Sequence, residues 1–351
     1  ISATQNTTNE LEELVRLAEF NILPDLEKKI IILENRHKQI AQELNFQKLS
    51  ELDKILLELR SFLQKIISLK QSNPKNSDAV YAFGELISSL LFTAALTKIG
   101  VENVLIDARD YLITDDSFTR ARPQFNLIAQ KLQPLLPLEK VFVTQGFIGK
   151  TLDGDTTTLG REGSDYTAAI FGEAINASAI EIWTDVAGIA TIDPRLDPTA
   201  KFLTEITYDD ATIMAQLGAK VLFPQTLLPA QRKKIPVFVG SSLAPDEKGT
   251  WITENTVENK KNIVAIALYA NHVELDIFLE NEILNPVVFK NTIDWSEKYN
   301  LALTQIIWKK NLLRLWVYAR QGLSDQMKND LATITFSSKI KRTDELTLIS
   351  T

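Results

Sequence analysis

Along the first hundred residues, apolar positions recur every three to four places. Leu26, Ile30, Leu33 and Ile40 form one stripe. Leu52, Ile55, Leu56, Leu59, Phe62, Leu63 and Ile66 form another, with charged residues on the other faces. This periodicity predicts a helical hairpin over 25–70, preceded by a helix over Leu11–Glu19. The hairpin fits core and scaffold, and its outer face also fits a partner helix. Residues 1–10 read as the end of a strand followed by a polar turn. A polar, Pro-containing break over Gln71–Ser77 separates the hairpin from a further helix over Ala79–Leu96. From Val101 the apolar runs shorten. Val101–Asp107 and Val141–Thr144 have the length and composition of buried strands, with loop and helix between them closed by Pro134 and Pro137.

The stretch 143–195 then alternates strand, Gly-rich loop, helix, strand and loop. Thr156–Thr158 lead into Gly160, Arg161, Glu162, Gly163 and Ser164. Ser164 is the expected N-cap of a helix over Tyr166–Ala177, and Ala179–Trp183 is the expected next strand, running into Thr184 and Asp185. A helix start flanked by glycines lets an anion approach backbone N–H groups, and it equally fits a tight turn before a buried helix. What favours a site is the density of Arg161, Ser164, Asp165, Thr184, Asp185, Asp193 and Arg195 at strand ends and loops. Tyr208–Leu222 is expected as helix, Thr226–Gln231 as a helical turn, Ile235–Val239 as a buried strand and Gly249-Thr250 as a closing turn.

Composition changes near Thr256. Ile263–Leu268 and Val273–Leu279 alternate like strands, and Pro286–Tyr299 suits a helix. Leu303–Lys309 and Leu312–Ala319 suit a hairpin around Lys310-Asn311. A short helix over Ser324–Leu331 and a strand-like tail complete the order β-α-β-β-α-β, that of a ferredoxin-like unit. Domains are therefore expected at 1–254 and 255–351.

The chain has 351 residues and a formal net charge of −7. That balance argues against nucleic acid or an anionic membrane as partner. There are no cysteines, which excludes disulfides, thiol catalysis and zinc–thiolate sites. His37 and His272 are the two histidines, expected on the surface or on helix faces. No apolar run reaches the roughly 18 residues that span a bilayer, and the polar start is no signal peptide, so a cytoplasmic protein is expected. Glu85 stands beside the apolar run Leu86, Ile87, Leu90, Leu91 and Phe92. It is either a solvent-facing helix glutamate or a buried carboxylate that needs a partner.

The run Thr158-Leu-Gly-Arg-Glu-Gly-Ser-Asp-Tyr-Thr-Ala resembles the signature of aspartate kinases, members of the amino-acid kinase family. So do Gln145-Gly-Phe-Ile-Gly, Trp183-Thr-Asp-Val-Ala-Gly and Asp193-Pro-Arg, in the right order. Phe83-Gly-Glu-Leu-Ile-Ser-Ser and Leu217-Gly-Ala-Lys-Val-Leu-Phe-Pro extend the match, which covers roughly residues 1–255. The implied fold is α/β, a three-layer amino-acid kinase fold followed by a ferredoxin-like, ACT-type α+β domain. The implied reaction moves the γ-phosphoryl of ATP, with Mg²⁺, to the side-chain carboxylate of L-aspartate. It gives 4-phospho-L-aspartate, the first step toward lysine, threonine and methionine.

Residue by residue, the resemblance implies that Thr8, Glu85, Phe147 and Arg161 bind aspartate: Glu85 its amino group, Arg161 its α-carboxylate. Asp165 and Lys220 are the implied catalytic pair, with Ser2, Thr184, Asp185, Arg195 and Lys220 on the nucleotide. No protein ligand for the metal is implied. A homodimer and a lysine or threonine effector are implied for the C-terminal region, although Glu280-Asn281-Glu282 stands where a Gly-containing effector loop is usual. Glu162 occupies a position that is commonly glycine, and Ala190 one that is commonly aromatic. The family's opening strand and Lys-Phe-Gly-Gly loop do not occur in the sequence. The chain as it stands is therefore expected to have little activity, and Leu346–Thr351 reads as the opening of a second ACT-type unit. A reading from another class remains open, a catalytically weak amino-acid sensor.

Overall fold

The computed structural model describes residues 1–47, 49–136, 139–160, 162–216, 224–255, 265–279, 286–299, 301–319, 322–337 and 339–350. They form two compact units, one of residues 1–183 and 225–238, the other of 184–224 and 239–351.

The first unit opens with α1 (Thr7–Glu19), α2 (Leu23–Glu43) and α3 (Leu49–Leu69). The hairpin expected from periodicity is α2 and α3. Leu26, Ile30, Leu33 and Ala41 of α2 and Leu52, Leu56, Leu59, Leu63 and Ile66 of α3 are buried in one core with α1. Each such leucine or isoleucine contributes roughly 1.5–3 kcal/mol by leaving water. Asn21 and Asn45 take positive φ just past α1 and α2, where asparagine tolerates the left-handed region. Across the hairpin, Arg60 donates to Glu34 at 2.6 Å and to Glu27 at 2.9 Å.

The next helical segment is two helices, α4 (Pro74–Tyr81) and α5 (Phe83–Lys98). It begins earlier than its apolar pattern suggests. Asn73 accepts from the Asn76 N–H at 2.8 Å and Pro74 takes the first turn. Contrary to the expectation from apolar run length, Pro74–Lys98 is long and apolar enough to cross a bilayer by length and composition. However, 61% of its most apolar window is buried inside the fold. Asp78 and Glu85 are buried with it, so the stretch is a core element.

Beyond α5 come β1 (Asn103–Leu105), α6 (Phe125–Leu132) and β2 (Val141–Val143), β1 and β2 pairing in parallel. The Thr156–Thr158 run is not loop. It is β4 (Thr156–Thr158), antiparallel to β3 (Ile148–Lys150). Then follow α7 (Gly163–Ile175), β5 (Ile180–Thr184) and, after an excursion through the second unit, α9 (Pro224–Lys233) and the start of β7 (Val237–Ser241). In that excursion lie β6 (Glu205–Thr207) and α8 (Tyr208–Gln216). The end of the helix expected to reach Leu222 lies outside the described residues.

Both histidines are fully buried, against expectation. His37 Nδ1 bonds the Leu33 carbonyl at 2.8 Å, so Nδ1 carries the proton and Nε2 accepts from the Thr4 hydroxyl at 2.9 Å. Thr4 and Thr7 hydroxyls meet at 2.7 Å, and Arg36 donates to Thr7 at 2.9 Å and to Glu10 at 2.6 Å. Burial pushes the His37 pKa down. The network stitches the 4–7 loop to α2.

In the second unit, Gly249-Thr250 opens a strand, β8 (Thr250–Thr253), parallel to β6. Thr250 Oγ1 accepts from the Ile189 N–H and donates to the Leu203 carbonyl. The C-terminal elements are β9 (Ala267–Phe278), α10 (Pro286–Lys298), β10 (Ala302–Lys309), β11 (Leu312–Tyr318), α11 (Asp325–Ile334) and β12 (Lys339–Ser350). Strand order β10-β11-β9-β12, all antiparallel, is the ferredoxin-like arrangement. The two strands expected over 263–279 are one strand that passes Asn271 at φ 63; 263 and 264 lie outside the described residues. Val273, Leu275 and Ile277 point into a core with Leu313, Leu315, Val317, Trp295 and Leu331. Glu280–Glu282 lie outside the described residues.

Candidate functional site

The site of the first unit is built where three segments meet: residues 1–8, the end of β2 and the start of α7. The backbone of Ile1 bridges the β2 exit. Its nitrogen donates to the Thr144 carbonyl at 2.8 Å, and the Gly146 N–H donates to its carbonyl at 2.8 Å. The Ser2 carbonyl accepts from Ser88 at 2.7 Å, and the Ala3 N–H donates to Glu85 Oε1 at 3.0 Å. This close approach needs Gly84, whose Cβ would stand 2.9 Å from that of Ala3. Residues 1–3 are therefore laid between β2 and α5, and Thr8, half-buried, follows in the first turn of α1.

Glu85 is 3% exposed, so of its two readings the buried one holds. Oε1 takes the Ala3 N–H, and Oε2 has no hydrogen-bond partner among the described residues. Burial pushes its pKa up to about 7, against the lowering effect of the backbone N–H groups. Asp165 in the first turn of α7 is pushed up to about 6, by burial first and then by the charge of Glu162. Both carboxylates lie near the backbone nitrogen of Ile1. Two acids facing one small region, each more easily protonated than usual, form a site that would welcome a cation.

The β2 exit is held by Gln145, buried, whose side chain accepts from the Ala108 N–H at 2.8 Å and donates to Ser89 at 2.7 Å. Gly146 follows. A Cβ on it would stand 2.7 Å from Ser164 Cα, so glycine is what lets α7 start against this loop. Phe147 has φ 66, and the Ile148 N–H donates to the Gly146 carbonyl at 2.7 Å around it. That is the γ-turn pattern with positive φ, a strained form that marks functional sites. Its N–H reaches Thr167 at 3.0 Å and its carbonyl accepts from Leu159 at 2.9 Å. Gly163 presses on the Phe147 ring, its Cβ position 2.8 Å away.

Ser164 is not the N-cap. The cap is Glu162 in the left-handed region, φ 54, with no side-chain cap bond, and the helix begins at Gly163. The Gly163 N–H is taken by the Gly160 carbonyl at 3.1 Å, so the Ser164 and Asp165 amides are the first-turn donors left without an intrahelical acceptor, which suits a bound anion. Arg161 lies outside the described residues. Replacing Glu162 by Gly should lower the Asp165 pKa, because a neighbouring negative charge disappears. Stability should change by only about 0–1 kcal/mol, as relief of left-handed strain is offset by glycine entropy. Carboxyl NMR titration of wild type, Glu162→Gly and Glu162→Gln checks this. The two variants should lower the Asp165 pKa alike, and an unmoved pKa in Glu162→Gln would show that charge is not the cause.

The remaining expected residues belong to the second unit. Thr184 ends β5, its hydroxyl 3.1 Å from Asp185 Oδ1 and its carbonyl accepting from the Ser242 N–H at 2.7 Å. Arg195 is exposed and donates to Asp193 at 3.0 Å in a loop turn. Lys220 lies outside the described residues. Among the described residues, no three His, Cys, Asp or Glu gather where they could hold a metal ion. Gln145, Gly146 and the buried Asp78 matter to the site and carried no chemical signal of their own. Gln145 and Gly146 were visible merely as part of a motif.

The family model for the amino acid kinase family matches residues 2–241. The lysine-sensitive aspartokinase 3 of Escherichia coli K12 is 41% identical over 283 residues, 79% of this chain. The chain spans 62% of the length of that relative. The crystal structure of E. coli aspartokinase III with aspartate and ADP superposes with a TM-score of 0.84 at 33% identity, covering 99% of this chain and 78% of that one. The structure of the same enzyme with lysine and aspartate gives 0.82 at 34% identity, with the same coverage.

Proposed function

This chain belongs to the amino acid kinase family, and within that family we propose that it serves as an aspartate kinase, transferring the γ-phosphoryl of ATP to the side-chain carboxylate of L-aspartate. The observation that carries this reading is Glu85. A buried carboxylate with one oxygen unclaimed among the described residues is a receptor for a primary ammonium ion. A free α-amino acid supplies one.

The acceptor carboxylate is an anion at neutral pH, so the reaction needs no general base. The barrier lies in bringing two anions together, and catalysis is alignment and charge neutralisation. Glu85 takes the aspartate ammonium, Arg161 its α-carboxylate, and Thr8 and Phe147 line the same place. The open first turn of α7 and Lys220 serve the transferring phosphoryl group, with Asp165 orienting the cations around it. Ser2, Thr184, Asp185 and Arg195 serve the nucleotide. Mg²⁺, when bound with ATP, neutralises phosphate charge, and its usual water and phosphate ligands require few protein carboxylates.

The family likeness also supports lysine as a regulatory ligand of the C-terminal unit, since E. coli aspartokinase III has been crystallised with lysine. A homodimer is proposed with it. Trapping of an acyl phosphate by hydroxylamine tests the activity. Hydroxamate should form with ATP, Mg²⁺ and aspartate together and not when any one is omitted. Aspartate binding by calorimetry without hydroxamate would replace the kinase reading by that of an amino-acid sensor.

A further inference from the structure

We propose that Asp78 is a positioning residue that sets the end of β4 and its exit through Leu159 and Gly160 against the helix that carries Glu85; this rests on the aspartate kinase reading. Asp78 is fully buried on α4. Its Oδ2 accepts from the Thr119 N–H at 2.8 Å and from the Thr158 N–H at 2.9 Å, and its Oδ1 accepts from the Thr158 hydroxyl at 2.8 Å. One side chain thus joins two segments that are 39 residues apart in the chain to a third.

The placement matters on both sides. Toward the C-terminus, α4 is followed after Ala82 by α5, and Glu85 sits two turns beyond Asp78. Toward the loop, Thr158 is the last residue of β4, immediately before Leu159, Gly160 and Arg161. The Thr158 carbonyl in turn accepts from the Ala121 N–H at 2.9 Å, so the 119–121 turn is tied to β4 twice. Thr119 takes φ 69, and a Cβ on Gly160, at φ 79, would stand 3.0 Å from the Thr119 carbonyl oxygen. The loop therefore leaves β4 over a turn whose shape Asp78 helps to hold.

All three partners are donors, and a carboxylate answers them with acceptor oxygens alone. An asparagine could still serve all three, its Oδ1 taking both N–H groups and its NH₂ donating to the Thr158 hydroxyl, so alanine, which removes every bond, is the informative change. Burial raises the Asp78 pKa while the three hydrogen bonds oppose the rise. A merely structural carboxylate would damage every ligand site together. A positioning carboxylate should damage aspartate binding and spare the nucleotide.

The experiment compares wild type, Asp78→Ala and Thr158→Val in the full chain. The second variant removes just the hydroxyl bond and keeps the backbone one. Michaelis constants for aspartate and ATP, and amide hydrogen exchange with no ligand present, are measured. Asp78→Ala should raise the aspartate KM about 30-fold and leave that for ATP within threefold, and Thr158→Val should raise it about fivefold. Exchange should quicken in 119–121 and 158–165 and stay unchanged in α1–α3. If Asp78→Ala fails to fold, Thr158→Val decides. An unchanged aspartate KM in a folded variant, a parallel rise for both substrates, or exchange that quickens everywhere would each overturn the proposal. Should wild type show no turnover, the kinase reading fails, and the exchange pattern still decides the clamp.

Discussion

Glu85→Gln should lose aspartate and gain stability. The variant keeps the shape of the side chain and the Ala3 N–H contact but removes the charge that would meet the substrate ammonium. Truncating one partner of a desolvated charge pair costs about 2–5 kcal/mol. The aspartate KM should therefore rise by at least about 30-fold, with the ATP KM little changed. Stability moves the other way. The folded-state pKa of Glu85 is raised to about 7 from 4.5, so the folded protein holds this proton more tightly than the unfolded chain does. Its stability then falls as pH rises from 4.5 through about 7, and the loss is complete above that. Glutamine escapes this cost. At pH 8 the variant should be more stable by up to about 3 kcal/mol, and below pH 4.5 the difference should vanish. Urea unfolding at pH 4 and pH 8 checks the sign. A variant less stable than wild type at pH 8 would mean that Glu85 is already satisfied by a cation in the unliganded protein.

The second large effect is expected at Gly146→Ala. The new methyl would stand 2.7 Å from both Ser164 Cα and Cβ and 2.8 Å from its Oγ. Ordinary contacts are about 3.5–4.0 Å, and what stands in the way is the backbone of α7, so the helix start has to retreat by about 1 Å. Overpacking of this kind costs about 1–3 kcal/mol. The displacement also moves Asp165, which follows Ser164, and Phe147, which follows Gly146. Misplacement by about 1 Å can cost 10²-fold in rate. Thermal unfolding and kcat measure the two parts. Gly154→Ala is the contrast: φ is 91 there, but no atom lies within 4 Å of the Cβ position. It should cost backbone strain and leave kcat unchanged. Equal kcat losses in both variants would show that general destabilisation, not the contact at Ser164, causes them.

Much of this was legible before any coordinates. The stripes of α2 and α3 and the β-α-β-β-α-β order of the C-terminal unit follow from local periodicity, because burying one face is a local demand on spacing. The family motifs also located Glu85, Phe147 and Asp165 in the chain. What periodicity could not reach is whatever depends on which segments meet. His37 looked like a surface residue because its own helix does not say what packs on it; the 4–7 loop does, and buries it. Ser164 looked like a cap because serine caps so many helices, and the approach of Gly146 and Phe147 instead starts the helix at Gly163 over a strained Glu162. Thr156–Thr158 looked like loop because three residues carry too little pattern, and pairing with β3 makes them a strand. Asp78 and the unclaimed oxygen of Glu85 belong to the same class. A hydrogen bond satisfied from 80 residues away leaves no trace in local spacing. Sequence alone thus named the candidate residues for this chemistry, and tertiary structure decided which carboxylates are buried, what each one faces, and how easily each holds a proton.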